Sequence, residues 1–231
     1  MKNEEIRKEL DEARQAVGGM ELTGHSNTLD AWLRAAKACV SVAEKDLAEE
    51  HVWEIPSLAK EFMQYAEPLE GYDHLLNELY CAVRRISDTV FEHPRIKLRL
   101  LEFRLLIVNR IECMTGYELS ESEDLTEEIY GYSRKIALAD KGELDNMETV
   151  TDGYGRDPIE WTQRWEEVVD EANKETFAAL ADTPRTPGFC VRFWQERAKI
   201  LSTRFALTWR TPVEINPDKK FEYEKYPFIA C

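Results

Sequence analysis

This chain of 231 residues has few histidines and lacks the glycine-rich motifs that bind phosphate groups. Its four histidines show neither the His-x-x-x-His spacing of zinc sites nor the Glu-x-x-His spacing of ferritin-like di-iron sites. The motifs Gly-x-x-x-x-Gly-Lys-Ser/Thr, Gly-x-Gly-x-x-Gly and Gly-x-Ser-x-Gly are absent. These motifs therefore indicate no catalytic residue, no metal ligand and no cofactor, and the sequence leaves open whether the protein is an enzyme.

Closely spaced cysteine pairs are also missing. The chain has five widely spaced cysteines and no Cys-x-x-Cys motif, a pattern typical of free thiols in a reducing cytoplasm. Residues 1–19 are charged and lack the apolar core of a secretion signal, which agrees with a cytoplasmic location. Arg185 and Arg192 flank Cys190, and cations lower a thiol pKa, so Cys190 is a candidate reactive thiol. A buried structural cysteine is the favoured interpretation.

Positive charge is in short supply, with 30 Lys and Arg against 45 Asp and Glu and a net charge of −15. This balance disfavours binding to nucleic acid backbones or anionic membranes and favours a basic partner. The charges are grouped, because the stretches 84–110 and 184–210 are basic whereas 117–148 and 152–182 are acidic. Either the basic helices pair with the acidic helices inside the fold, or the two basic stretches form a cationic groove.

A cationic groove would suit a phosphate or carboxylate ligand. The candidate ligand-binding residues are Lys97, Arg99, Arg104, Arg192 and Arg197. Lys97 and Arg104 lie seven residues apart, on the helix side opposite Arg99, and are expected to point inward. A buried cation needs a partner, either a neighbouring glutamate or a ligand.

The most apolar helical stretch is 94–116, around which the rest of the chain is organised. Apolar residues cover most of its circumference, so neighbours must cover it on several sides. Five cations and Glu102 argue against burial in lipid. Pro94 suits a first helical turn and Gly116 suits the position after the last one. The fold class predicted from this pattern is all-α, a multi-helix bundle around a central buried helix.

Helical periodicity and breaks predict the remaining organisation. Further helices are expected at about 2–17, 29–50, 72–92, 120–139, 158 onward and 189–206. The predicted division is a helical bundle at 1–140, a linker at 141–157 and a C-terminal helical subdomain at 158–231, which could pack as one domain. From Thr208 onward, prolines and aromatic residues predict an irregular arm laid over the body. Four tryptophans at 161, 165, 194 and 209 are predicted to be core.

Two acidic pairs have a spacing that could hold Mg²⁺ together with a substrate phosphate. Glu118 with Glu121, and Glu167 with Asp170, lie three residues apart. This arrangement resembles that of all-α nucleotide pyrophosphohydrolases, which use two such pairs on neighbouring helices. The resemblance covers these four residues alone, and the gap between the pairs is longer than that family's.

Three functions are consistent with the sequence. The first is a cytoplasmic, non-enzymatic interaction or regulatory protein, which binds a protein partner through an acidic face or the C-terminal arm. That partner would be a basic protein or a second copy in a homodimer. The second is a small-molecule binding protein or enzyme that uses the basic inter-helix groove. The third is a nucleic-acid mimic that inhibits a DNA-binding protein. None of the three involves a membrane.

Overall fold

The computed structural model describes residues 3–147 and 154–221, and in these residues it has nine α-helices and no strand. This confirms the predicted all-α fold. The helices are α1 (Asn3–Val17), α2 (Ser26–Ala48), α3 (Ile55–Ala66), α4 (Leu76–Ser87), α5 (Pro94–Thr115), α6 (Ser120–Asp140), α7 (Gln163–Ala179), α8 (Phe189–Phe205) and α9 (Pro212–Ile215). Short 3₁₀ turns lie at Val52–Glu54, Glu67–Leu69, Asp73–Leu75, Leu144–Asn146 and Pro158–Trp161.

The chain divides into two units. Unit 1 is formed by Met1–Val90 with Arg95–Tyr132, and unit 2 by Phe91–Pro94 with Ser133–Cys231. The division therefore falls inside α6. The sequence placed it at 141–157, of which residues 148–153 lie outside the described part, and the linker stays a prediction.

In unit 1, α2 is the helix that α1, α3 and α4 all contact. Small side chains make close packing possible, because Ala35, Ala36 and Ala43 are fully buried. On α1 the buried residues recur at Ile6, Leu10, Ala13 and Val17, the spacing of one helix face.

A second apolar cluster in unit 1 holds α6 against α5. Its fully or nearly buried members are Leu101, Val108 and Leu125. Four partly buried side chains pack against them: Tyr80, Leu105, Ile129 and Tyr132. This packing holds α6 beside α5 and so positions the short connection between them.

Unit 2 has a core of aromatic side chains on α7 and α8. Trp165, Trp194 and Phe193 are almost completely buried, and Trp161 and Trp209 are about 5% exposed. The tryptophans are therefore core residues, as the sequence predicted.

Several predicted boundaries need correction. The helix predicted from about residue 29 begins earlier, at Ser26 of α2. Asp157-Pro158 opens a 3₁₀ turn instead of a long helix, and α7 begins only at Gln163, where the Thr162 side chain accepts a hydrogen bond from Trp165 N at 3.2 Å. Most aromatic residues of the predicted arm (Tyr223, Tyr226, Phe228) lie outside the described residues. No helix in the described ranges is long and apolar enough to cross a membrane.

Candidate interaction surface

One face of α5 is exposed along most of the helix. Five residues spaced three or four apart are all exposed and form what we call the α5 stripe: Arg99, Glu102, Leu106, Asn109 and Cys113. At 100° per residue these positions share one side of the helix. Its polar members Arg99, Glu102 and Asn109 adjoin the apolar Leu106, which is 40% exposed.

A groove of about 590 Å³ runs beside the first half of the stripe, between α5 and the 3₁₀ turn Glu67–Leu69, and we call it the α5 groove. Its apolar side chains are Leu98, Phe103 and Leu106. Its charged side chains are three glutamates (Glu67, Glu70, Glu102) and two arginines (Arg95, Arg99). The groove thus combines an apolar surface with charges of both signs.

The end of α5 and its connection to α6 expose three large apolar side chains, which we call the apolar tip. Met114 is 57% exposed, Tyr117 75% and Leu119 38%. Single exposed apolar residues are ordinary on protein surfaces, whereas neighbouring ones within a polar surround mark interaction sites. Three within six residues, one on the last turn of α5 and two in the connection, are therefore a candidate binding surface.

Hydrogen bonds hold the apolar tip in one conformation. Gly116 adopts a left-handed φ of 69° and donates from its N–H to Glu112 O at 2.8 Å, which ends α5. The Glu112 carboxylate then accepts a bond from Leu119 N at 2.6 Å. Ser122 N and Ser122 Oγ both donate to Leu119 O, at 3.1 and 2.9 Å. The tip is thus preorganised, which lowers the entropy cost of binding.

The segment of chain that contains the tip carries charge of one sign. From residue 111 to residue 133 the sequence has seven Asp or Glu and no Lys or Arg. Exposed members of this set include Glu118, Glu123 and Asp124. A surface of this composition attracts cations and repels phosphate groups.

The predicted ligand-binding cations on α5 are bonded to protein groups. Lys97 donates from Nζ to Ser87 O at 2.7 Å, and burial lowers its pKa. Arg104 forms an ion pair with Glu121, which also accepts a bond from Tyr80 Oη at 2.6 Å and so raises the Tyr80 pKa. Both cations point inward, as the sequence predicted, and the partner of Arg104 is a glutamate of the acidic helix α6.

Arg99 and Arg192 have different surroundings. The Arg99 guanidinium makes three hydrogen bonds of 2.7–2.9 Å to the Glu67 carboxylate. Arg192 is exposed, and no hydrogen bond or ion pair joins it to the described part of the chain. Arg192 belongs to unit 2 and Arg99 to unit 1.

Arg197 is buried at the centre of unit 2. It forms an ion pair with Glu92 and donates to Asn173 Oδ1 at 3.1 Å. Its guanidinium lies 4.2 Å from the centre of the Trp209 ring and 5.4 Å from that of Trp165. Aromatic faces and a carboxylate together stabilise a buried cation. Arg197 therefore has a structural role in the core of this unit.

The acidic pairs proposed for Mg²⁺ belong to different units, Glu118 with Glu121 to unit 1 and Glu167 with Asp170 to unit 2. Glu121 is bonded to Arg104, as described above. In unit 2, Asp170 Oδ1 lies 2.9 Å from His93 Nε2, and Glu167 lies 3.4 Å from Arg164. Among the described residues no group of three or more His, Cys, Asp or Glu side chains could hold a metal ion. The resemblance to nucleotide pyrophosphohydrolases therefore gains no support from these positions.

Cys190 is buried, and its thiol donates a hydrogen bond to Phe221 O at 3.5 Å. No disulfide joins the four described cysteines.

Sequence reasoning missed the apolar tip. Helical periodicity predicts that apolar side chains are buried, and Met114 and Leu119 adjoin apolar stretches. The signal that could have revealed the tip is the cation-free acidic run at 111–133, which begins near the end of α5 and includes Tyr117.

Comparisons with known protein families, with characterised proteins and with solved structures found no match.

Proposed function

We propose that the protein is a non-enzymatic interaction protein of the cytoplasm, and that unit 1 binds a basic segment of a partner protein at the apolar tip. The observation that carries this proposal is the combination of three exposed apolar side chains with a hydrogen-bonded segment whose charged residues, from 111 to 133, are all acidic.

The two properties of the tip have separate roles in binding. Burial of Met114, Tyr117 and Leu119 against apolar side chains of the partner supplies affinity, because apolar area leaves water. Tyrosine and methionine are enriched at protein interfaces for this reason. The surrounding carboxylates attract a basic segment and select against acidic ones, which affects the association rate and specificity more than the affinity.

The acidic charge of this segment favours a partner protein of different sequence over a second copy of this chain or a nucleic acid. A second copy would bring its own seven acids against this run, so a homodimer through the tip is opposed by repulsion between like charges. Nucleic acid is disfavoured because phosphates are repelled. Mimicry of nucleic acid would need the carboxylates alone, and it does not account for three exposed apolar side chains.

A phosphate or carboxylate ligand has less support. Arg99 and Arg104 already bind glutamates, and Arg197 is enclosed by aromatic rings and a carboxylate. An incoming anion would have to displace a carboxylate from each of them, which costs the hydrogen bonds already made. The cytoplasmic location is supported by described cysteines that form no disulfide.

Cross-linking in cells tests the proposal. Cys113 lies beside Met114 and is exposed, and Cys81 on α4 is an equally available control. A short photoreactive group would be attached to Cys113 in a C81S/C231S variant, and to Cys81 in a C113S/C231S variant. The expected result is a product formed from Cys113 and not from Cys81, in which the attached partner peptide is rich in Lys or Arg and carries apolar residues. Equal products from both positions, or an acidic attached peptide, would show that the proposal is wrong.

A further inference from the structure

Resting on this proposed function, we infer that the partner segment is a basic amphipathic helix. It lies along the α5 stripe, with one apolar anchor at the apolar tip and a second in the α5 groove.

The distance between the α5 groove and the apolar tip matches the repeat of a helix. Leu106 is exposed in the groove, and Cys113, the last stripe residue, directly precedes Met114 of the tip. Seven residues separate Leu106 from Cys113, which is about 10 Å along a helix. Two turns of a partner helix cover the same distance, so apolar residues at positions i and i+7 of the partner would reach both places.

Backbone chemistry selects a helix over an extended peptide. Extended peptides usually bind by adding a strand to the edge of a sheet. The described residues of unit 1 contain no strand, and α5 uses its own backbone groups within the helix. An extended segment over Leu98, Phe103 and Leu106 would leave backbone N–H and C=O groups without partners, whereas a helix satisfies its own.

Charge along the stripe agrees with a basic occupant. In the groove, Glu67 is bonded to Arg99, whereas Glu102 on the stripe forms no ion pair with any described residue. At the tip, Glu118 is likewise exposed and without an ion pair in the described chain. Basic residues of the partner helix would therefore meet an available carboxylate near each apolar anchor.

A synthetic peptide provides the test without knowledge of the natural partner. The probe is an 18-residue peptide made only of leucine and lysine, with the leucines at helical spacing. A control peptide has the same composition with leucine at every second position, which suits a strand. Dissociation constants would be measured by fluorescence anisotropy at one fixed salt concentration.

Three variants of the full chain receive the same chemical change: M114E at the tip, L106E in the groove and V213E in unit 2 as the matched control. Val213 is 37% exposed, close to the 40% of Leu106. Each substitution adds one negative charge, which by itself would strengthen the attraction for a cationic peptide. A loss of affinity therefore reports a lost apolar contact. All three positions are exposed, and unchanged thermal unfolding would verify that each variant is folded.

We expect M114E and L106E each to weaken binding of the helical peptide by about tenfold or more, as the loss of one buried apolar side chain implies. V213E should leave the affinity unchanged, and the control peptide should bind more weakly to the wild type. If M114E weakens binding and L106E does not, the helix along the stripe is wrong while the proposed function stands. Equal affinity of the two peptides would also overturn the helix. If neither variant differs from V213E, both the inference and the proposed function fail.

Discussion

Asp46 is a buried carboxyl whose ionisation should make the folded protein less stable as the pH rises. It lies on α2 with no exposed surface, and one oxygen, Oδ1, accepts a bond of 2.5 Å from Arg7 of α1. The other oxygen, Oδ2, is buried without a hydrogen-bond partner. Burial raises the pKa of Asp46 from 3.8 to about 6, and Glu54 adds to this effect while Arg7 and His51 oppose it.

The direction of this pH effect on stability follows from the number of protons that the folded and unfolded chains bind. Between pH 3.8 and 6 the folded chain holds a proton on Asp46 that the unfolded chain has lost, so the free energy of unfolding falls as the pH rises. This difference in pKa corresponds to about 3 kcal/mol of the free energy of unfolding. That contribution is fully lost above the pKa of the folded state. This is the reverse of the usual ion-paired aspartate, and the cause is that one arginine bond does not offset burial.

The assay compares urea unfolding of the wild type with that of Asp46→Asn at several pH values from 4 to 7.5. The carboxamide cannot ionise, so the stability of the variant relative to the wild type should rise by about 2 kcal/mol across this range, whatever fixed cost the substitution adds. Other titrating groups, including Glu54 and His51, are present in both proteins. Asp30→Asn makes the same chemical change at an exposed aspartate of the same helix and is the matched control. A difference for Asp46→Asn that stays constant with pH, or that changes no more than that of Asp30→Asn, would refute this reasoning.

Further predictions concern other parts of the chain. Arg197→Ala should lower the free energy of unfolding by about 3–5 kcal/mol in urea, because it leaves a carboxylate buried without its ion pair. Alkylation at pH 8 should modify exposed Cys113 in the native protein and spare Cys39, whose pKa burial raises to about 12; mass spectrometry would detect the sites. Gly116→Ala should cost about 1 kcal/mol, because its φ is left-handed, whereas Gly131→Ala inside α6 should stabilise by about 0.5–1 kcal/mol; paired urea titrations would show the opposite signs.

Helical periodicity predicted the type and place of most elements, because these depend on local spacing. The predicted helix 94–116 is observed at Pro94–Thr115, with Gly116 in the left-handed conformation that ends it. The first residue of each helix was harder to predict. At α2 several neighbouring polar residues could serve as caps, and the helix begins at the first of them.

The candidate site was only partly predictable. The inward direction of Lys97 and Arg104 follows from helical geometry, whereas their partners depend on how α4 and α6 pack against α5, which no local pattern specifies. The apolar tip was missed because apolar residues beside a helix usually signal burial. Exposure of Met114 and Tyr117 depends on whether other parts of the fold cover them, which no local pattern specifies.

The central claim is that a basic amphipathic segment covers the end of α5, and protection of a native thiol tests it most directly. Alkylation rates of Cys113 and Cys81 would be measured by mass spectrometry with and without a saturating amount of the helical leucine–lysine peptide. The account predicts that the peptide slows the reaction of Cys113 and leaves that of Cys81 unchanged. If Cys113 reacts at the same rate with the peptide bound, the peptide lies elsewhere on the protein and the central claim is wrong.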